Sequence, residues 1–458
     1  MPKRIVIIGG GTAGASAAFS ARKTDRTAEI TIIDRETHST YSRCGLPFAI
    51  KGTINPIENL VVFAPKVFAS QKITQKLATE VTGINHQARS AGGETSPKGG
   101  EVTYKSITTG EAGKVNYDSL IFATGSTPSK PPIAGIDGKN VFVLRTIDDA
   151  KKIVESAKSV KSVIIVGASF IGLETAEALK HLGLDVTVIE QRYLLWRMLD
   201  KEISQMAKQR LAAAGIKLIE DKSISDLNEY KDALVIISTG VRPSVKLAKD
   251  IGATIGLTGG IKVDKNLRTN LPEARLTEPF GQVYAVGDCA ESVSDPTGQP
   301  IVIGLGTIAA RQGVTAGANA AGKDETGPAI LNASVLKLLD MEIGSVGITE
   351  FGIQDSGFKV SPVSALIKFP SLPHYYPGGT DVHIKLIADK ATKQIIGGQV
   401  LCKSGAHLRV NMISLAIQNK MTIADILKSD FCYSPPVTDV WEPIMIAAQG
   451  LAARLNRT

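Results

Sequence analysis

Twice along this chain a short apolar strand runs into a glycine turn, a helix and a second strand that ends on an acid. Residues 4–14 read R-I-V-I-I-G-G-G-T-A-G, and the spacing Gly9-x-Gly11-x-x-Gly14 opens an alanine-rich run. Gly9 permits a tight turn, Gly11 lets the backbone approach a pyrophosphate, and Gly14 lets helix and strand pack closely. The unpaired N–H groups of the first helical turn, around Thr12 and Ala13, then face the phosphates. The next strand, 29–33, ends at Asp34 and Arg35, where the acid is placed to accept hydrogen bonds from a ribose diol.

The pattern returns at 162–190. A strand over 162–166 leads into Gly167-Ala168-Ser169-Phe170-Ile171-Gly172, a helix runs to about Leu182, and a strand over 185–189 ends at Glu190. Ser169 replaces the middle glycine, and its hydroxyl is short enough to bond a phosphate. Glu190 favours an unphosphorylated ribose, while Arg192 is close enough to take a 2′-phosphate, so NADH and NADPH both stay open. Three further strand ends complete the series. One runs into Ala123-Thr124-Gly125, one into Ser238-Thr239-Gly240, and one over 283–286 stops at Gly287-Asp288.

In this order the motifs resemble the pyridine nucleotide–disulfide oxidoreductase family, over nearly the whole chain. The resemblance implies an α/β fold with two Rossmann-like dinucleotide-binding domains, one for FAD and one for NAD(P)H, plus a C-terminal α+β dimerisation domain. It implies an FAD-binding domain over 1–115 and 246–326, an NAD(P)H-binding domain with flanking connections over 116–245, and an interface domain over 327–458. Asp288 inherits the role of holding the flavin ribityl chain. Phe170 resembles an aromatic gate over the flavin, although a core phenylalanine at helical spacing reads the same way. Glu174, one turn later, faces the flavin or lies on the helix surface.

The segment Tyr41-Ser42-Arg43-Cys44-Gly45-Leu46-Pro47 carries one cysteine where glutathione and lipoamide reductases carry two. This resembles the single-cysteine branch: coenzyme A-disulfide reductase, persulfide reductase and NADH oxidase. Pro47 suits a first helical turn, so Cys44 is expected to open a short helix over 46–50. The helix N-terminus and Arg43 are expected to favour the reactive thiolate. Peroxidases and many oxidases of the branch place a histidine in the first glycine turn; here that position is Thr12. The reductases use C-terminal tyrosines, matched by Tyr376 in a Y-P-G segment and Tyr433 in a Y-x-P-P segment. Both are expected at the partner subunit's active site. Cys432, beside Tyr433, is then a candidate resolving thiol or a small filler. For coenzyme A, Arg22 and Lys23 at the first helix end, with Thr40, Ser42 and Arg43, are the candidate contacts.

The implied activity is electron transfer from NAD(P)H through FAD to Cys44, and on to coenzyme A disulfide, a persulfide or a polysulfide. The alternatives are an NADH oxidase working through a cysteine sulfenic acid, and a flavin electron carrier without a catalytic thiol. The four cysteines, Cys44, Cys289, Cys402 and Cys432, form no disulfide framework and no zinc spacing. They fit a reducing cytoplasm, with Cys289 and Cys402 structural. A net charge of +8 without a basic block suits anionic small ligands and offers no nucleic-acid motif. No apolar run is long enough for a membrane span. The polar stretch 89–101 reads as a hairpin tip or a loop insertion, and the tail 435–453 is expected to pack on the partner of a homodimer.

Overall fold

The computed structural model describes residues 1–86, 99–271, 282–356 and 360–455. Most of the 89–101 stretch lies outside the described residues; its end enters the strand Gly100–Ser106. Three five-stranded sheets organise the chain. In the first, the order is Gln282–Ala285, Ser119–Phe122, Arg4–Ile8, Glu29–Ile33, Ile73–Lys76, all parallel. In the second it is Lys217–Ile219, Asp185–Ile189, Ser162–Val166, Leu234–Ile237, Val141–Val143, again parallel. Both sheets reverse their order beside the strand that feeds the glycine turn, which places the crevice at those strands' carboxyl ends.

The segment 116–245 divides between these sheets. Its first strand, Ser119–Phe122, belongs to the first sheet, and the second sheet takes 141–237. Between them Ser126–Pro128 pairs antiparallel with Val241–Pro243, so the chain enters and leaves the second domain through one two-stranded ribbon.

The third sheet is antiparallel, in the order Ser334–Leu338, Met341–Gly347, Ile395–Cys402, Asp381–Asp389, Pro362–Pro370. Helices Ala406–Gln418 and Pro443–Leu455 cover it. The helix Pro443–Leu455 takes up most of the tail 435–453. It buries Ile444, Ala447, Ala448 and Leu451 in the core of its own sheet, with Ala365, Ile384 and Val400. An amphipathic helix covers the nearest apolar surface, and here that surface is its own chain's. What remains exposed is the segment before it, with Val437, Val440 and Trp441.

In the first domain, the helix after the glycine turn, Thr12–Thr24, lies against Gly306–Ala320 at backbone distance. A Cβ added at Gly313 would sit 2.3 Å from the Ala13 carbonyl oxygen, and one at Gly317 would sit 2.1 Å from that of Ala17. The alanines of the first helix and the glycines of the second therefore specify each other. Gly317→Val should destabilise the chain by about 1–3 kcal/mol, seen as a lower thermal-unfolding midpoint. Gly306→Ala, where the added atom meets nothing within 4 Å, should leave the midpoint in place.

Candidate active site

The first glycine turn is built as its spacing predicts. Gly9 has φ +104°, and a Cβ there would lie 2.2 Å from the Ala123 carbonyl oxygen, so this turn touches the 123–125 strand end directly. Beside Gly11 the space is open to 4 Å, and the helix Thr12–Thr24 starts without a side-chain cap. Free N–H groups facing open space suit a pyrophosphate. Asp34 is buried, and its carboxylate accepts the Gly10 N–H at 2.8 Å. Thr40 reaches the same loop, donating its hydroxyl to the Gly10 carbonyl at 2.6 Å. Arg35 is exposed beside Asp34.

The second turn repeats this plan with two changes. The Glu190 carboxylate accepts the Ala168 N–H at 2.8 Å and the Arg192 N–H at 3.1 Å. Ser169 caps the helix Phe170–His181 by accepting the Gly172 N–H at 3.2 Å, so its oxygen serves the helix and only its O–H is left for a phosphate. A cavity of about 800 Å³ opens in front, lined among others by Gly167, Phe170, Glu190, Trp196 and Gly240. Ile171 is partly exposed at the same helix start. Arg192 does not reach out for a 2′-phosphate: its guanidinium stacks 4.4 Å from the Trp196 ring and 5.4 Å from that of Phe351.

Cys44 lies in the 3₁₀ turn Arg43–Gly45, directly before the helix Leu46–Ile50 with Pro47 in its first turn. Its sulfur opens to solvent on one side. Partial burial, then the carboxylates of Glu174 and Asp288, push the thiol above its usual range, while Arg145 pulls it down. Arg43 is turned elsewhere. It donates to the Tyr41 hydroxyl at 2.9 Å, lies over that ring at 5.0 Å and sits 3.6 Å from Glu36. The cation serving Cys44 is thus Arg145, a residue no motif singled out. It also donates to Asp288 at 3.1 Å, beside the Ser126 hydroxyl at 2.8 Å. Thr124 and Gly125 complete this corner, the former donating to the Ser244 carbonyl at 2.6 Å and the latter with φ +65°. At Gly287, φ is +70°.

Glu174 points toward this centre electrically. Burial and the neighbouring Glu177 charge raise its carboxyl to about 7. Glu177 is itself held by Lys51 at 2.7 Å. A group at about 7 changes charge in the neutral range, where it alters the field at Cys44.

Other candidates are placed differently. The Arg22 guanidinium donates to the carbonyls of Gln71, Lys72, Asp25 and Arg26, which commits it to closing loops; Lys23 is exposed. Ser42 gives its N–H to the Leu60 carbonyl. Cys289 is buried against the Phe122 and Val286 carbonyls, and Cys402 is buried with its thiol pushed to about 11, mainly by burial. Cys432 is exposed and lines a separate cavity of about 900 Å³ on the C-terminal domain, among whose described walls no residue of the 41–47 loop occurs. Tyr433 hydrogen-bonds at 2.5 Å to Tyr375, not to Tyr376, and both partners are exposed. Tyr375 escaped motif reading because only its neighbour Tyr376 stands directly before Pro377-Gly378.

Replacing Glu174 by Gln should lower the pH midpoint of Cys44 alkylation, since a neighbouring negative charge is lost. Arg145→Met should raise it. Iodoacetamide labelling rates at Cys44 across pH would check both signs.

Comparison with known proteins agrees with this layout. The model of the pyridine nucleotide-disulphide oxidoreductases, which use FAD and a nicotinamide dinucleotide, matches residues 3–313. That of their dimerisation domain matches 334–444. An NADH oxidase of Methanocaldococcus jannaschii is 33% identical, over 99% of this chain and 99% of that protein. The NAD(P)H coenzyme A polysulfide/persulfide reductase of Pyrococcus horikoshii is 32% identical, over 98% of this chain and 99% of that one. The structure of an NAD-dependent persulfide reductase from A. fulgidus superposes with a TM-score of 0.90 at 30% identity, covering 99% of this chain and 83% of that one. This chain is an oxidoreductase that belongs to the pyridine nucleotide-disulphide oxidoreductase family.

Proposed function

We propose that this chain is a thiol-linked reductase that passes electrons from NADH through FAD to Cys44, and on to coenzyme A disulfide, a persulfide or a polysulfide. The hydrogen-bonded Tyr375 and Tyr433 carry this reading. Two phenols joined on an exposed face add little to stability, but they suit protonation of a leaving thiolate. In a homodimer they would stand at the partner's Cys44. The names of the Pyrococcus horikoshii and A. fulgidus relatives support a sulfur acceptor.

FAD, when bound, supplies a two-electron relay between the nicotinamide and sulfur. The chain's residues do the rest. The Cys44 thiolate attacks one sulfur of a disulfide and the other leaves as a thiolate. A phenol with an ordinary value of about 10 is protonated at neutral pH, so Tyr433 can donate to that leaving group. Two electrons and a second proton then open the Cys44 mixed disulfide and free the second thiol. Glu190, already bound to two backbone N–H groups, repels a 2′-phosphate, while Arg192 is held in its stack. Both favour NADH, to be checked as a higher kcat/KM for NADH than for NADPH.

The M. jannaschii relative is called an NADH oxidase, and Cys44 cycling through a sulfenic acid would serve that reaction. Anaerobic stopped-flow work separates the two readings. Wild type reduced by NADH should be reoxidised quickly by coenzyme A disulfide or polysulfide. Cys44→Ser should still accept electrons from NADH but lose that reoxidation. Tyr433→Phe should slow it by about 100-fold. Fast reoxidation by oxygen alone, dependent on Cys44, would replace the reductase reading with the oxidase.

A further inference from the structure

The wall of the nicotinamide cavity over 190–200 contains no helix or strand, yet supplies Glu190, Leu195, Trp196, Arg197 and Met198 to the lining. Its own domain holds its start through Glu190, whose N–H donates to the Ile219 carbonyl at 2.8 Å, and its middle through Leu194, whose N–H donates to Glu220 at 2.8 Å and whose carbonyl accepts from Ser204 at 2.7 Å, with Leu194 and Leu199 buried in the core. The dimerisation domain touches its aromatic face and its end. Phe351 meets Trp196 and Tyr193 edge-on, with ring centres 5.6 and 6.1 Å apart. Where the wall ends, Asp200 N–H donates to the Gln399 amide oxygen at 2.8 Å, the Gln399 amide returns a bond to the Asp200 carboxylate at 2.7 Å, and Phe351 N–H donates to it at 3.3 Å.

Under these contacts lies Lys385, in the middle of the strand Asp381–Asp389 and 1% exposed. Its ammonium is 3.0 Å from Asp200, 3.1 Å from Glu202 and 2.6 Å from Glu350. Burial on its own would lower this ammonium's pKa, but Glu350 and Asp200 outweigh it and raise it above the ordinary lysine value. A sheet core does not need a charge at this position; an aliphatic side chain would pack it at no desolvation cost. Buried ion pairs add little stability but fix one geometry. The geometry fixed here joins two domains, because Asp200 and Glu202 belong to the nicotinamide side and Lys385, Gln399 and Glu350 to the dimerisation side.

We propose that Lys385 is a positioning residue for the nicotinamide cofactor: through Asp200 and Phe351, the dimerisation domain sets the placement of the 190–200 wall and so the affinity for NADH. This rests on the reading of the 800 Å³ cavity as the NADH site. Lys385 touches neither cofactor nor reacting atoms, and the step it controls is binding, not chemistry.

The test uses the full-length, FAD-loaded protein. Lys385→Met should weaken NADH binding, and raise its KM, by about tenfold. It should leave kcat at saturating NADH and the KM for the sulfur acceptor within about twofold, a split that general loss of fold would not produce. In a Trp441→Phe background Trp196 is the remaining tryptophan, and Lys385→Met should make it more accessible to acrylamide quenching. Gln399→Leu, which keeps the ion cluster, should shift NADH affinity in the same direction and serves if Lys385→Met does not fold. Glu190→Ala tests the cavity itself. Weakening by Glu190→Ala with unchanged NADH affinity in Lys385→Met and Gln399→Leu would overturn the inference alone. Affinity indifferent to all three would overturn the cavity assignment and the inference with it.

Discussion

Electron transfer between a dinucleotide and a thiol requires the thiol loop to be fixed against the nicotinamide domain, and an apolar core does this. Tyr41, Leu46, Ile50 and Leu60, from the loop around Cys44, share one buried cluster with Leu173, Ala176 and Leu179 of the nicotinamide-domain helix and with Leu336, Met341 and Leu401 of the dimerisation sheet. Each large member contributes roughly 1.5–3 kcal/mol on burial. Three parts distant in sequence therefore share one core. Polar links trim the same junction: Glu177 binds Lys51 on the thiol side and the Leu339 N–H on the sheet side. The electrostatics at Cys44 depend on this fixed frame, because Glu174, Asp288 and Arg145 come from three separate segments.

The sequence made the local parts legible. The strands leading into Gly9 and Gly167, the helix after Cys44 and the acids at Asp34 and Glu190 follow from near-neighbour chemistry, and they stand where spacing put them. Residues set by long-range packing were not legible. Arg145 follows a short strand far from Cys44 and carries no motif, yet it is the cation that the thiol feels. Arg43, next in sequence to Cys44, was the natural choice, but Tyr41 and Glu36 hold it away. Which surface the tail helix covers was not legible either: nothing local says which sheet its apolar face will meet, and it meets its own.

Lys385 shows the same limit from another side. A lysine between Ile384 and Leu386 in an alternating strand reads as solvent-facing, and both faces of that strand turn out to be covered. Only the second domain, arriving with Asp200 and Glu202, supplies the carboxylates that make its burial tolerable.

The two glycine turns also differ by one carbon atom in two places at once. At Gly10 an added Cβ would lie 2.5 Å from the Asp34 carboxylate that the N–H binds. In the second turn the corresponding residue is Ala168, and the acid is Glu190, whose extra methylene reaches the same N–H at the same 2.8 Å while leaving room for the methyl group. Loop residue and acid form a matched pair in each domain, some twenty positions apart. Alanine at position 10 would therefore clash with Asp34 as a single replacement and requires the longer acid to be brought in with it.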